Sequence, residues 1–333
     1  MGLGSWRARA QYQVAVSHPR NHPSAVKTLK SLCIALSLGM VASAPVLAES
    51  SSSPTANAAT REVEFEGQKI SYRIVGNRQG VPLLLLNRFR GTMDHWDPLL
   101  IDKLAANRRV IMFDQPGFAR STGVPPDTLP KFASSAARVA EALGFKHVDV
   151  LGFSMGGTVA LQLALDRPDL VRKLIIAGSG PGYVAGMPPG VEPAGPEVWK
   201  VATKPVNDDD DFLFLFFEES VSSREAGRAY LGRLLQRRDA FAQQVNDRAW
   251  QAQLKSAQGV GSEATSLLPR LSTIDKPVLV ANGRHDIMVP TYASYAMAQQ
   301  LRDARLIIYP DSGHGFLFQH VDSFAQDVNL FLR

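Results

Sequence analysis

The stretch that decides the fold is Val148-Asp149-Val150-Leu151-Gly152-Phe153-Ser154-Met155-Gly156-Gly157. Its first four residues predict a buried strand, and the segment from Met155 to Asp166 predicts a helix that ends before Pro168. Ser154 therefore lies on a tight turn from strand to helix, which exposes its hydroxyl in a backbone conformation that only small neighbours tolerate. This arrangement favours a nucleophilic serine. A phosphate-binding loop would need a G-x-G-x-x-G pattern or a Gly-Lys-Ser/Thr sequence, and the turn has neither.

Short apolar segments alternate with helical patterns on both sides of this turn. A hairpin at a sheet edge is predicted by the polar and apolar alternation on either side of Gly67. The other segments are apolar on both faces, as strands covered on both sides are: Leu83–Leu86, Val110–Phe113, Val148–Leu151, Leu174–Ala177, Val278–Ala281 and Leu306–Tyr309. Apolar residues recur at helical spacing at 132–143 and 321–332, which predicts helices that alternate with these strands. The sequence therefore predicts an α/β fold, with a mostly parallel central sheet and helices on both faces.

One interval breaks this alternation. Residues 181–270 contain no buried-strand pattern, but they include a Pro/Gly-rich stretch, four acids at 208–211 and an aromatic run at 212–217. We predict a helical cap here, inserted between the two core segments 61–180 and 271–333. The acids are interpreted as a helix N-terminus and not as a metal site, because hard cations need spaced ligands. The aromatic run is interpreted as cap core or pocket lining.

The charge of the chain is concentrated at its start. The formal net charge is +5, from 36 basic and 31 acidic residues. Residues 1–48 hold five of the basic residues and no acid, so the rest of the chain is balanced. A balanced body without a basic stripe argues against a nucleic-acid partner.

The same leader has the pattern of an export signal. Two lysines precede an apolar run at 32–41, and small residues precede a cleavage point after Ala48. An uncleaved membrane anchor is disfavoured, because the run falls short of the about 20 apolar residues that a span needs. We therefore predict a signal peptide with an N-terminal extension at 1–48, a flexible lead-in at 49–60 and a secreted or periplasmic protein without a stable membrane anchor. The single cysteine, Cys33, would be removed with the signal.

A serine nucleophile needs a base, which is usually a histidine held by a carboxylate. His314 follows a predicted strand within the turn Asp311-Ser312-Gly313-His314-Gly315, and Asp286 follows another strand. Both residues leave the carboxyl ends of strands, the edge where open parallel sheets build their sites. The order Ser154, Asp286, His314 is the one expected of a serine hydrolase on such a sheet. His285 is a minor alternative as the base.

These motifs resemble the α/β-hydrolase superfamily, within it the esterase and non-haem haloperoxidase-like branch. The resemblance runs over residues 61–333 and includes the serine turn, the segment 283–290, the Gly313-His314 loop and the segment 113–121. It implies Ser154 as nucleophile, His314 as base and Asp286 as acid, with no cofactor and no metal. The predicted cap falls where this family carries its cap.

The segment after the third predicted strand departs from the family. Members usually have His-Gly there, whereas this chain reads Asn87-Arg88-Phe89-Arg90-Gly91. By position, the backbone N–H groups of Phe89 and Met155 are expected to form the oxyanion hole. We expect Arg88 to face solvent, because arginine is seldom buried without a partner. If Arg88 or Arg90 turns inward, it would pair with an anionic group of the substrate.

The resemblance and the candidate triad together predict a serine hydrolase. The expected substrate is a small carboxylic ester or lactone, cleaved through an acyl-enzyme. Trp96 is expected to line the substrate pocket. The same triad also serves perhydrolysis and carbon–carbon bond hydrolysis, and a ligand-binding or sensing protein with negligible turnover is the alternative from another class. The sequence leaves the oligomeric state open.

Overall fold

A computed structural model of the chain describes residues 53–237 and 245–333. The predicted signal peptide at 1–48 and the first four residues of the lead-in lie outside the described residues. From residue 53 onward the lead-in is tied to the body of the protein: the N–H and hydroxyl of Thr55 donate to Asp102 Oδ1 at 2.9 and 2.6 Å. Of the helices in the described ranges, none has the length and apolar character needed to cross a bilayer.

The centre of the molecule is an eight-stranded sheet with the order β1-β2-β4-β3-β5-β6-β7-β8. The predicted hairpin is confirmed, since β1 and β2 pair antiparallel and β2 joins β4 antiparallel, while every other neighbouring pair is parallel. The strands are β1 Arg61–Phe65, β2 Gln68–Val75, β3 Leu83–Leu86, β4 Val110–Phe113, β5 Val148–Phe153, β6 Val171–Ala177, β7 Val278–Gly283 and β8 Ala304–Tyr309. One expectation was wrong: β8 is the edge strand, and its Ile308 is 38% exposed.

Helices cover both faces of this sheet, which confirms the predicted fold class. The alternation of strand side chains divides the interior into two cores: Leu83 and Leu85 of β3 belong to one, and Leu84 and Leu86 to the other. The helices are α1 Pro98–Ala105, α2 Leu129–Ala142, α3 Met155–Asp166, α4 Pro196–Ala202, α5 Asp209–Phe216, α6 Val221–Leu234, α7 Asp247–Gln258, α8 Thr291–Gln300, α9 Phe316–Gln319 and α10 Val321–Phe331.

Four of these helices, α4 to α7, lie between β6 and β7 in the chain. The acids at 208–211 start α5: Asp208 is its N-cap, and its side chain accepts the N–H of Asp211 in a capping box. The capping interpretation of these acids is therefore confirmed. Arg233 of α6 ties this segment to the start of α1, because its guanidinium forms a two-pronged ion pair with the fully buried Asp97.

Candidate active site

Ser154 occupies the turn between β5 and α3. Its backbone has φ 55° and ψ −127°, a conformation that L-residues adopt only under constraint. The constraint comes from both sides, since the Ser154 N–H donates to Ala177 O at 2.9 Å and the Gly157 N–H donates to Ser154 O at 2.8 Å. The turn needs glycine at position 152, where a Cβ would lie 2.2 Å from the carbonyl oxygen of Gly156. The strand, the turn and the helix follow one another as the sequence predicts, but the expected exposure of the serine was wrong, since Ser154 is only 8% exposed.

His314 and Asp286 form a buried pair on the loops after β8 and β7. His314 Nδ1 lies 2.7 Å from Asp286 Oδ2, and both side chains are fully buried. Asp286 Oδ1 accepts the N–H groups of Met288 and Val289 at 2.8 and 2.9 Å, so the carboxylate is fixed from two directions. A carboxylate oxygen accepts the Nδ1 proton, which leaves Nε2 as the acceptor of the imidazole.

The His314 ring is held beside the serine turn by aromatic residues. Its centroid lies 5.0 Å from that of Phe153, the residue before Ser154, and 5.3 Å from that of Phe216 in α5. Among the described residues His314 Nε2 is buried and has no hydrogen-bond partner, Ser154 included. This nitrogen is therefore free to accept a proton, and such contacts often tighten only when substrate is bound.

The competing histidine points elsewhere. His285 is exposed, and its Nδ1 lies 2.5 Å from Glu218 Oε1. The side-chain contact of His285 is therefore with Glu218 and not with Asp286, although His285 and Asp286 are adjacent in sequence. The structure therefore brings His314 to the carboxylate, and not His285.

The loop after β3 packs against the start of α3. A Cβ on Gly156 would lie 2.1 Å from the carbonyl oxygen of Leu86, so only glycine permits this approach. The closeness places the loop beside Met155, and Asn87, Arg88 and Met155 line one small cavity. Within residues 53–237 and 245–333, the N–H of Met155 has no hydrogen-bond acceptor.

Phe89 lies in the same loop, one residue beyond Arg88. Its N–H has no acceptor in the described part of the chain either. The loop is nevertheless regular at Arg88, whose N–H donates to Asn87 Oδ1 at 2.8 Å and whose φ is not positive. Arginine in place of the family's glycine is therefore accommodated without backbone strain.

The expected solvent-facing orientation of Arg88 was wrong. Arg88 is only 8% exposed, and its guanidinium carbon lies 5.3 and 5.0 Å from the ring centroids of Phe212 and Phe216. These two rings offer their π faces to the cation, a contact that the sequence could not show because it joins residues more than 120 positions apart. Burial lowers the pKa of Arg88.

Arg90 has a different environment. Its guanidinium donates to the carbonyl oxygens of Ala202, Lys204 and Pro205 at 3.2, 2.6 and 2.9 Å. Its backbone N–H donates to the side chain of Gln253 in α7. Arg90 is thus bound to the segment between α4 and α5 and to α7, so its hydrogen-bonding groups are used within the protein.

A cavity of about 180 Å³ lies between this loop and helices α5 and α6. Phe212, Leu215 and Phe216 of the aromatic run form part of its apolar lining, which agrees with the pocket interpretation of 212–217. Trp96 does not line it: this residue is buried in the core with its ring 6.4 Å from that of Phe153. The residues around the cavity are Arg88, Phe89, Arg90, Asp94, His95, Ala202, Asn207, Asp208, Asp209, Phe212, Leu215, Phe216, Leu231, Leu234, Val245 and Met288.

Two titratable groups on the cavity wall are fixed in charge. Burial and the neighbouring Arg88 guanidinium lower the pKa of His95 to about 3, so this ring is neutral. Burial raises the pKa of Asp94, but hydrogen bonds from Arg120 and Arg73 outweigh it and keep the net shift downward. The Asp94 carboxylate is therefore ionised and already neutralised within the protein.

Sequence reasoning missed Gln253. This buried residue accepts the Arg90 N–H at 2.8 Å, and its amide nitrogen lies 3.5 Å from Arg88 O, so α7 holds the loop after β3. A single glutamine on an amphipathic helix gives no signal of such a contact. Sequence reasoning also missed Tyr230, whose hydroxyl donates to His95 O at 2.7 Å.

Comparisons with known proteins identify the fold. The family model described as alpha/beta hydrolase fold matches residues 81–321. A solved alpha/beta hydrolase fold protein from Chitinophaga pinensis is 36% identical, covers 84% of this chain and 98% of its own, and superposes with a TM-score of 0.76.

Two curated relatives carry named activities. The 2-hydroxy-6-oxononadienedioate/2-hydroxy-6-oxononatrienedioate hydrolase of Klebsiella pneumoniae is 30% identical over 71% of this chain and 79% of its own. The pimeloyl-[acyl-carrier protein] methyl ester esterase of Nitrosomonas europaea is 28% identical over 77% of this chain and 97% of its own.

Proposed function

The chain belongs to the alpha/beta hydrolase fold family, and from that premise we propose that it is a serine hydrolase that cleaves a small carboxylic ester or lactone through an acyl-enzyme. The observation that carries the proposal is the buried His314–Asp286 pair, whose free Nε2 lies on the same sheet edge as the constrained Ser154 turn. A relative named as a methyl ester esterase supports the ester substrate.

In the proposed mechanism, His314 Nε2 takes the Ser154 hydroxyl proton as the oxygen attacks the substrate carbonyl. The unpaired N–H groups of Phe89 and Met155 stabilise the negative charge of the tetrahedral intermediate. His314 then gives its proton to the leaving alcohol, and the acyl group stays on Ser154. A water molecule, deprotonated by the same nitrogen, releases the acid and restores the serine.

Hydrolysis of a carbon–carbon bond next to a ketone is the second candidate. It is favoured by the relative named for a dienedioate, a substrate with two carboxylates, together with the buried cation Arg88 on the cavity wall. The same serine and histidine serve both reactions. A panel containing both esters and a 2-hydroxy-6-oxo-dienoic acid separates the candidates by which substrate sustains turnover.

The test of the proposal is covalent labelling of the serine. The purified protein is treated with a fluorophosphonate, its intact mass is measured, and turnover of short and medium p-nitrophenyl esters is followed. We expect one adduct and ester turnover, both lost in Ser154→Ala. Ser135→Ala is the matched control, because the Ser135 hydroxyl is buried in α2, has no hydrogen-bond partner among the described residues, and lines neither of the two cavities at Arg88. An unlabelled, inert wild-type protein would contradict the proposal and favour a ligand-binding protein.

A further inference from the structure

Arg88 is a buried cation without a counter-ion. In the described ranges, no carboxylate lies within ion-pair distance of its guanidinium. Nη1 donates to Phe89 O at 2.9 Å, and the neighbouring Tyr230 hydroxyl and His95 ring are both neutral. The Nε atom is buried with no hydrogen-bond partner. A buried charge without a paired anion is strongly unfavourable, because it loses its hydration and gains no compensating charge.

The acids near the cavity do not serve as this counter-ion. Asp94 is held by Arg73 and Arg120, and the Asp208 side chain caps α5. Asp209 lies in the exposed first turn of the same helix. The carboxylates are thus engaged with other groups or with solvent, and the positive charge of Arg88 is left for a molecule that enters the cavity.

The position of Arg88 connects this charge to the reaction centre. It lines the cavity beside Phe89, the candidate oxyanion donor. Its guanidinium also packs on Phe216, whose ring in turn packs on His314. The guanidinium carbon lies 5.0 Å from the Phe216 centroid, and that centroid lies 5.3 Å from the centroid of the His314 ring. At most about 10 Å therefore separates the cation from the imidazole, a distance that a short acyl or alcohol chain can span.

We propose that Arg88 binds a free carboxylate of the substrate, so that the preferred substrate is a half-ester of a short dicarboxylic acid or an ester of a short hydroxy acid. This inference rests on the proposed serine hydrolase function and goes beyond it, since it assigns the recognition group. Guanidinium and carboxylate form charge-assisted hydrogen bonds, and the bound anion would complete the coordination of the unpartnered Nε. The aromatic lining excludes water and strengthens the pair.

The experiment compares matched acidic and neutral substrates. Monomethyl glutarate and methyl pentanoate place the charge on the acyl side, and 4-acetoxybutanoate and butyl acetate place it on the alcohol side. For each pair the ratio of kcat/KM, acidic over neutral, is measured in wild type, Arg88→Met and Arg88→Gln. Any loss that is common to both substrates cancels in this ratio.

We expect the ratio for one pair to fall by about 10- to 100-fold in both Arg88 variants, the range for a hydrogen bond to a charged group. The pair that responds identifies whether the acyl or the alcohol part carries the carboxylate. Arg305→Met is the matched control: it removes an exposed guanidinium on the edge strand β8 that lines neither cavity, so the ratio should stay within threefold. Unchanged ratios for both pairs in folded Arg88 variants would overturn the inference.

A binding measurement separates this inference from the proposed function. If wild type turns over none of these esters, glutarate is titrated calorimetrically into Ser154→Ala and into Ser154→Ala/Arg88→Met. Binding that disappears with Arg88 supports the carboxylate site even when the esterase proposal fails. Equal binding in both variants, or no binding in either, overturns the site independently of the chemistry at Ser154.

Discussion

Replacement of Asp286 separates two tasks that its carboxylate performs. Oδ1 accepts two backbone N–H groups of its own loop, and Oδ2 accepts the proton on His314 Nδ1. Asp286→Asn keeps an oxygen for the backbone donors, but its amide NH₂ then faces His314. Nδ1 must be unprotonated to accept a hydrogen bond from this amide. The ring must carry its proton on Nε2 instead, where it blocks proton transfer from Ser154. We expect kcat to fall by about 1,000-fold or more, while stability changes by less than about 1 kcal/mol.

Asp286→Ala removes both tasks. Two part-buried N–H groups lose their acceptor, and at about 1 to 1.5 kcal/mol each the free energy of unfolding should fall by about 2 to 3 kcal/mol. Ester turnover and urea-induced unfolding are measured on the wild type and both variants. A kcat of Asp286→Asn within threefold of wild type would refute the role of Asp286 in orienting His314. Equal stabilities of the two variants would refute its role in holding the loop.

Three other comparisons test the backbone strain at Ser154, the protonation of Asp114 and the attachment of the helical segment. The positive φ of Ser154 predicts that Ser154→Gly is about 1 kcal/mol more stable than Ser154→Ala in urea, and equal stabilities would contradict the strain. Burial raises the pKa of Asp114 to about 6, so the folded chain binds this proton more tightly than the unfolded chain and loses stability as pH rises from about 4 to 6. The free energy of unfolding should fall by about 3 kcal/mol over this range. Asp114→Asn should abolish the fall, and urea unfolding curves of both proteins at pH 4, 5 and 7 measure the difference. Arg233→Met leaves the buried Asp97 unpaired and should destabilise the protein by about 3 to 5 kcal/mol, whereas Lys255→Met breaks an exposed pair and should change stability by less than about 1 kcal/mol.

Local sequence patterns were enough to predict the strands of the sheet and the candidate catalytic residues on the loops that follow them. The apolar runs predicted the strands, and the interval from Met155 to Asp166 proved to be a helix with those bounds. Chain order and strand ends were enough to select His314 and Asp286, because parallel strands deliver their carboxyl-end loops to a common edge. The structure pairs these two residues at 2.7 Å.

Contacts between distant segments were beyond that reasoning. A lone leucine or isoleucine run gives no sign of its place in the sheet, so β8 was expected to be buried and is the edge. Trp96 was expected at the pocket and packs in the core, since its large apolar ring suits either place. The neighbours of Gln253 depend on how α7 crosses the loop after β3, and helical periodicity contains no such information.

Local sequence patterns were enough for the class of the fold, the strand-to-helix turn at Ser154, and the choice of the histidine and carboxylate that the structure pairs. These features follow from short-range periodicity, glycine sterics and the geometry of parallel strands. The tertiary structure was needed to show that Arg88 is buried, that it lies over Phe212 and Phe216, and that no counter-ion for it exists among the described residues. The physical reason is that the free energy of a charge depends on all groups within a few ångströms, and here those groups come from segments far apart in the chain.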